Sequence, residues 1–361
     1  MPSAQDQSEE ITIKHGRFRV SRRYDPAVRI PDAVLKCVGF IGEVTSEDGT
    51  EVYGDLHATG FIVSIPSELP GDILDRYAFF VTAKHVASDL GSREIYFLVN
   101  KKGGGIMRLS ANGRPWFLHP TDKTADVAII SVDVDPEADI MGIMVEDFVS
   151  ADDLANLQGP SSQKVGVGDE VFATGLFTAA PGSSRILPIV RHGNLAMIPS
   201  EQIETEIGYA DVYLVEARSI GGLSGSPVWV RTHIQLVVQH EGILKPANVV
   251  GPGKFLGLMH GHWDIKESEI NNPLIVHDRK RGVNLGIGIV VPASKIRETI
   301  YQPILVELRK EMEKMLNKRS IPGIDSAKPN NKEAEQTIFT KEDFEVALKK
   351  ASRKIDQKSK P

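Results

Sequence analysis

Three residues of this chain have the chemistry of an acyl-transfer site, provided folding brings them together. Ser224 lies in Gly221-Gly222-Leu223-Ser224-Gly225-Ser226-Pro227-Val228, and His85 follows the run Phe79-Phe80-Val81-Thr82-Ala83-Lys84. Asp126 opens Asp126-Val127-Ala128-Ile129-Ile130. A serine hydroxyl is a poor nucleophile near neutral pH unless a neighbouring base takes its proton. An imidazole supplies that base, and a carboxylate fixes its tautomer and steadies the imidazolium that forms. Each residue alone has a plainer reading: a structural histidine, a turn-capping aspartate, a serine in a tight glycine turn. Their conjunction argues for chemistry.

Chain order narrows the fold. Asp126 follows His85 by 41 positions, and Ser224 follows Asp126 by 98. The order His, Asp, Ser is that of chymotrypsin-type double barrels, whereas subtilisins run Asp, His, Ser and α/β-hydrolases Ser, Asp, His. The hydrolase elbow G-x-S-x-G also fails here, because the residue two after Ser224 is Ser226. Thr82-Ala83-Lys84-His85 resembles the T-A-x-H box of trypsin-like serine peptidases, and Ala125-Asp126-Val127-Ala128 resembles their D-[IV]-A box. Gly222-Leu223-Ser224-Gly225-Ser226-Pro227 is similar to their G-x-S-G-[GS]-P box, in the form found in bacterial members, glutamyl-endopeptidase-like ones included. The resemblance runs from about Cys37 to about Ile300.

That resemblance implies an all-β fold of two antiparallel six-stranded β-barrels of the chymotrypsin/trypsin-like type, with a C-terminal helical extension. It implies a serine endopeptidase with His85, Asp126 and Ser224 as catalytic residues. The oxyanion hole falls to the backbone N–H groups of Gly222 and Ser224, and glycine at 222 suits a turn that a Cβ would restrict. The primary pocket falls to Arg218, six residues before the nucleophile, and to the strand carrying His260 and His262. An inward Arg218 would favour acidic side chains before the cut bond; an outward one would sit in a solvated ion pair. Leu223 departs from the acidic residue of the animal digestive members, so activation by an inserted N-terminus is not expected. His260 and His262 form an H-x-H pair whose side chains share a strand face, but with no evident third ligand they read as pocket-lining, and neither metal nor cofactor is expected. Two alternatives stay open: a catalytically silent trypsin-like domain that binds, and an esterase on the same barrels.

The rest of the composition is permissive. The chain has 361 residues, 41% hydrophobic and 25% charged, with a net charge of −6, which argues against bulk attraction to nucleic acid. Cys37 is the only cysteine, so no internal disulfide can form. The opening Met1-Pro2-Ser3-Ala4-Gln5-Asp6-Gln7 lacks the apolar centre of a secretion signal. No apolar run reaches the roughly 18 residues of a membrane span, so a cytoplasmic protein is expected, and the resemblance implies a protein or peptide substrate.

The elements that must position the three groups are short strands. In residues 31–150 these are 34–41, 58–65, 77–82, 95–99, 106–109, 116–119 and 127–132; in residues 151–318 they are 170–174, 186–192, 212–216, 227–230, 234–238, 255–260 and 283–291. Short strands between turn signals suggest sandwiches or barrels rather than alternating α/β units. Pro292 ends the last strand, and Ser294 reads as the N-cap of a helix. Residues 1–30 read as a polar arm, and 319–361 as a linker with a basic helical tail. Phe344, Ala347, Leu348, Ala351 and Ile355 mark one helical stripe. Residues 341–361 hold seven Lys/Arg and four Asp/Glu, a charge that reads as a solvated face open to a partner protein. On that reading the barrels should fold without the tail.

Overall fold

Alternation along the strands decides what each half of the chain buries. In the computed structural model, residues 8–13, 16–21, 30–47, 50–68, 76–111, 113–155, 165–217, 222–240, 243–265, 283–320 and 341–358 are described. The expected arm contains a hairpin of β1 (Ser8–Ile13) and β2 (Gly16–Ser21). Helix α1 (Asp32–Leu35) follows, where a strand start was expected. Next come β3 (Val38–Glu47), β4 (Thr50–Pro66), β5 (Arg76–Thr82), helix α2 (Lys84–Leu90), β6 (Glu94–Asn100) and β7 (Ile106–Ser110). Strands β8 (Phe117–Leu118), β9 (Ala128–Val132) and β10 (Ile143–Met144) complete an eight-stranded sheet. Its path runs β7-β6-β3-β4-β5-β9-β8, with β10 parallel to β4.

Past the short helix α3 (Ala151–Ala155), the second half closes on itself. Its strands are β11 (Glu170–Gly175), β12 (Ile189–Met197), β15 (Tyr213–Glu216), β16 (Pro227–His240), β17 (Ile243–Ile265) and β18 (Val283–Pro292). They form a closed six-stranded barrel, antiparallel throughout, in the order β11-β12-β15-β18-β17-β16. A small hairpin, β13 (Ile203–Thr205) with β14 (Gly208–Ala210), projects between β12 and β15. Val171 and Ala173 point into the barrel with Leu195, Val215, Val228, Leu256 and Val290. Phe172 between them points the other way, into the core shared with the first half.

The two-barrel expectation is met by the second half alone. The first half is mostly β but its sheet does not close among the described residues, because β7 and β8, the ends of the path, do not pair. The cause lies in the chain on either side of β8. Pro115 and Pro120 bracket β8, neither can donate to a ladder, and β8 makes only a two-residue ladder with β9. Two smaller expectations also shift. Residues 234–238 are the continuation of β16 rather than a separate strand. The helix after Pro292 begins at Ala293, with Pro292 itself in the cap position at φ −58°, the angle that proline's ring fixes.

The halves meet through aromatic packing. Phe255 of the barrel lies 5.3 Å from Phe61 of the first sheet, ring centre to ring centre, and 4.8 Å from Phe148 on the connecting segment. Helices α4 (Ala293–Ile300) and α5 (Pro303–Ser320) return to the first half, burying Ile296, Ile300, Leu305, Leu308, Met312 and Leu316 in its core. Helix α6 (Lys341–Lys358) lies along α5. Its stripe is not spare: Phe344, Ala347 and Ala351 are buried in that same core. The Arg114 guanidinium sits 5.0 Å over the Phe344 ring, and Lys354 reaches Glu307 and Glu311 on α5. The tail helix is therefore packed on the first half rather than standing apart from it. Among the described residues, no helix is long and apolar enough to cross a membrane.

This packing carries a stability prediction. Phe344→Ala should cost about 3–5 kcal/mol, as large-to-small changes at buried aromatics do, read from the midpoint of urea unfolding of the full chain. A loss below about 1 kcal/mol, the range of surface substitutions, would return α6 to the status of a separable tail.

Candidate active site

Strand pairing brings the first two groups together. β5 and β9 are antiparallel, with Thr82 opposite Ala128. The residues that follow Thr82 and precede Ala128 therefore leave the sheet at the same end. Ala83 is extended, and α2 starts at Lys84, so His85 stands in the first turn of a helix rather than at a strand end. The first amides of a helix have no partner within it, and Asp126 supplies one. Its Oδ1 accepts the His85 backbone N–H at 2.8 Å while its Oδ2 accepts Nδ1 of the His85 ring, also at 2.8 Å. Because Oδ2 can only accept, Nδ1 carries the proton and Nε2 is left as the basic nitrogen.

Asp126 is delivered by a turn that its neighbours build. Asp122 Oδ1 accepts from the Thr124 amide, the Thr124 hydroxyl and the Ala125 amide, at 2.9, 2.7 and 3.1 Å. Its Oδ2 pairs with Lys295 Nζ at 2.8 Å, and Lys295 also holds Asp211 at 2.9 Å. Lys295 belongs to α4, so the turn is anchored to the helix that follows the barrel.

A second imidazole reaches the same carboxylate. Met259 and Gly261 of β17 pair with Val290 and Ile289, adjacent residues of β18, so His260 is the extra residue of a β-bulge. Bulges re-aim a side chain, and here His260 Nδ1 lies 2.5 Å from Asp126 Oδ2. The His85 and His260 rings stand edge to face, 5.3 Å between centres. Burial works against the charge of Asp126, yet the hydrogen bonds from His260 and His85 outweigh it and hold the carboxyl well below the usual range. For His85, burial works against the cation, but the hydrogen bond and charge of Asp126, with Asp89 nearby, raise its pKa above the ordinary imidazole value.

Ser224 arrives from the other half through a braced turn. Gly222 and Gly225 both have positive φ, +94° and +82°, a region that favours glycine. A Cβ on Gly225 would come within 2.1 Å of the Thr59 carbonyl oxygen and 2.3 Å of Thr82 Oγ1. Thr59 of β4, fully buried, holds the turn at two points. Its amide donates to the Ser224 carbonyl at 3.1 Å, and its hydroxyl to the Gly222 carbonyl at 2.7 Å. Thr82, three residues before His85, donates to the Thr59 carbonyl at 2.8 Å. The Ser224 hydroxyl donates to the His260 carbonyl at 3.2 Å. Among the described residues no hydrogen bond joins it to the His85 ring, and the Gly222 and Ser224 amides donate to no protein acceptor.

The structure thus groups His85, Asp126 and His260 directly and brings Ser224 to them through the His260 main chain. Leu223 is buried beneath the turn. His262 lies two residues beyond His260, half-buried and opposite Gly288. Arg218 lies outside the described residues. Sequence reasoning missed Asp122, Lys295 and Thr59. Thr59 had a signal, since a hydroxyl among the apolar residues 58–65 needs an internal partner; the Asp122–Lys295 pair, 173 positions apart, had none.

No family model matches the chain, and no curated protein is similar to it in sequence. Among solved structures it is similar to the MamO protease domain from Magnetospirillum magneticum in apo form. That match has 18% identity and a TM-score of 0.41, over 75% of this chain and 98% of the other. It is also similar to an inactive mutant of Rv3671c from M. tuberculosis H37Rv, with 16% identity and a TM-score of 0.36, over 77% of this chain and 94% of the other. At these values neither likeness says what this chain does.

The Asp122–Lys295 anchor makes a pH prediction. Burial opposes ionisation of Asp122, but its bonds from Lys295 and Thr124 depress its pKa well below the ordinary carboxylate value. A depressed carboxylate contributes stability above its unfolded pKa, about 3.9, and loses it as pH falls toward the folded value. Asp122→Asn should therefore melt below wild type near neutral pH, with the gap narrowing as pH drops beneath about 4. Parallel thermal melts across that range check it; a gap independent of pH would remove Asp122 from the acid response.

Proposed function

We propose that this chain is a trypsin-like serine endopeptidase in which Ser224 attacks a peptide carbonyl with His85 as base. The observation that carries the reading is the two-point hold of Asp126 on His85. The carboxylate takes the ring's Nδ1–H and the amide of the same residue, which in the neutral ring leaves Nε2 as the basic nitrogen, fixed in direction. In the first step the Ser224 hydroxyl turns from the His260 carbonyl to His85 Nε2. Its oxygen bonds the substrate carbonyl carbon as its proton passes to Nε2. The developing oxyanion takes the amides of Gly222 and Ser224, donors that the turn leaves unused; a lost donor of this kind costs on the order of 10²–10³ in rate. His85 then gives its proton to the leaving amine as the C–N bond breaks. Water repeats the sequence on the acyl-enzyme, with His85 again accepting and returning one proton.

One observation favours a second reading, that of a binding domain without turnover. The Ser224 hydroxyl is committed to a main-chain carbonyl rather than to the base. Labelling with a fluorophosphonate separates the two. A peptidase should label at Ser224, and Ser224→Ala should not label; folded protein that never labels would support the binding domain. His85→Ala should lower kcat/KM on a cleaved peptide by a factor on the order of 10⁴–10⁶. Its melting temperature should fall only modestly, since Asp126 loses the ring donor but keeps the His85 amide and His260. Retained cleavage would remove His85 from the mechanism.

A further inference from the structure

Two imidazoles on one carboxylate oxygen exceed what a hydrogen-bonded relay requires. A hydroxyl would satisfy the second lone pair of Asp126 Oδ2; an imidazole there adds another nitrogen donor. Ligand atoms of His85, Asp126 and His260 all lie within 4.8 Å of one another. We propose that these three side chains hold a divalent transition-metal ion of the zinc type, and that the ion switches the site off. The binding half of this proposal stands on the donor set alone; the switching half rests on the peptidase reading.

The donor set fits such an ion. Two imidazole nitrogens and one carboxylate oxygen with an open fourth position is a common zinc arrangement, with bonds of about 2.0–2.2 Å. Hard cations such as magnesium prefer all-oxygen sets. Tetrahedral geometry at those bond lengths sets ligand atoms about 3.3 Å apart. The observed separations from Oδ2, 2.8 Å to His85 Nδ1 and 2.5 Å to His260 Nδ1, are those of the hydrogen-bonded form. Loading therefore requires each ring to draw back from Oδ2 by under about 1 Å, with the two imidazole ligand atoms, which lie within 4.8 Å of each other, settling at about 3.3 Å. The His85 ring is 38% exposed and the His260 ring hangs from a bulge, so neither move disturbs a ladder. The His85 amide stays on Oδ1 and keeps the carboxylate aimed, the part that an outer-sphere partner plays at metal sites.

Proton bookkeeping makes the two occupancies exclusive. To bind through Nδ1, each neutral imidazole moves its proton from Nδ1 to Nε2, with no net release. His85 Nε2 then carries a proton, has no free lone pair and cannot accept one from Ser224. The metal-bound site therefore lacks His85 Nε2 as the base for Ser224, and the metal-free site has it.

The test uses full-length Ser224→Ala protein, stripped with EDTA and dialysed, which keeps all three ligands. Calorimetric titration with zinc chloride should show one site, and cobalt(II) should give the visible bands of a low-coordinate N/O site. His85→Ala and His260→Ala, each made in that background, should weaken binding by more than the roughly 10–100-fold that loss of an outer-sphere partner costs. His192→Ala, at the distant Glu170 pair, should bind as before. Because His85 is the more exposed ring, its variant decides the matter even if the His260 variant misfolds. Zinc binding that survives His85→Ala, or none at all, overturns the site. In wild type, equimolar zinc should abolish fluorophosphonate labelling and EDTA should restore it. Labelling that zinc leaves untouched overturns the switch while the peptidase reading stands. Zinc held by these residues in protein that never labels supports the site and removes the peptidase instead.

Discussion

The buried carboxylate of Asp126 is the interaction around which the rest is arranged. Removing a charge from water costs several kcal/mol unless donors replace the lost hydration. Here three donors do so: the amide and ring of His85, and the ring of His260. They come from a helix start and a strand bulge that are far apart in sequence. Each has to be placed to within a hydrogen bond, so the carboxylate constrains the β5–β9 register, the start of α2 and the bulge in β17 together. A slip of one residue in any of them would leave a buried charge short of a partner.

The second constraint is the join between the halves. Thr59 has its amide, hydroxyl and carbonyl all engaged, with the Ser224 turn on one side and Thr82 on the other. Its hydroxyl also accepts the Leu176 amide at 2.8 Å. One residue of the first sheet thus ties the end of β5, the Ser224 turn and the end of β11. The aromatic packing around Phe255 gives the halves their adhesion, and Thr59 gives the site its registration. Area burial is tolerant of small slides, while hydrogen bonds at 2.7–3.1 Å are not.

Much of this was legible in the residues. The strands of the second half follow from their period of two and from flanking glycines and prolines, and they close into a barrel. The candidate residues announced themselves because chemistry demands particular residue types beside particular turns. What stayed hidden depends on contacts at long range. His260 reads as pocket-lining on a regular strand; a single inserted residue turns it toward Asp126, and bulges leave little trace in local composition. The open first sheet turns on Pro115 and Pro120, whose effect appears only once β8 must pair. The stripe on α6 was visible as a stripe, but nothing local says whether such a face meets solvent, a partner or its own chain; packing against α5 decides it.

The resting arrangement of Ser224 follows from the same geometry. Its turn is held by the Thr59 amide and hydroxyl and by the Gly225 amide on the Met259 carbonyl at 2.9 Å. Its side chain has one free torsion. That torsion aims the hydroxyl at the His260 carbonyl, and among the described residues it makes no other hydrogen bond. His260 therefore touches the site twice, its ring on the Asp126 carboxylate and its carbonyl on the Ser224 hydroxyl. Any event that moves the bulge at His260 must act on both at once, which makes this position, rather than the half-buried His85, the point where the two halves of the site are coupled.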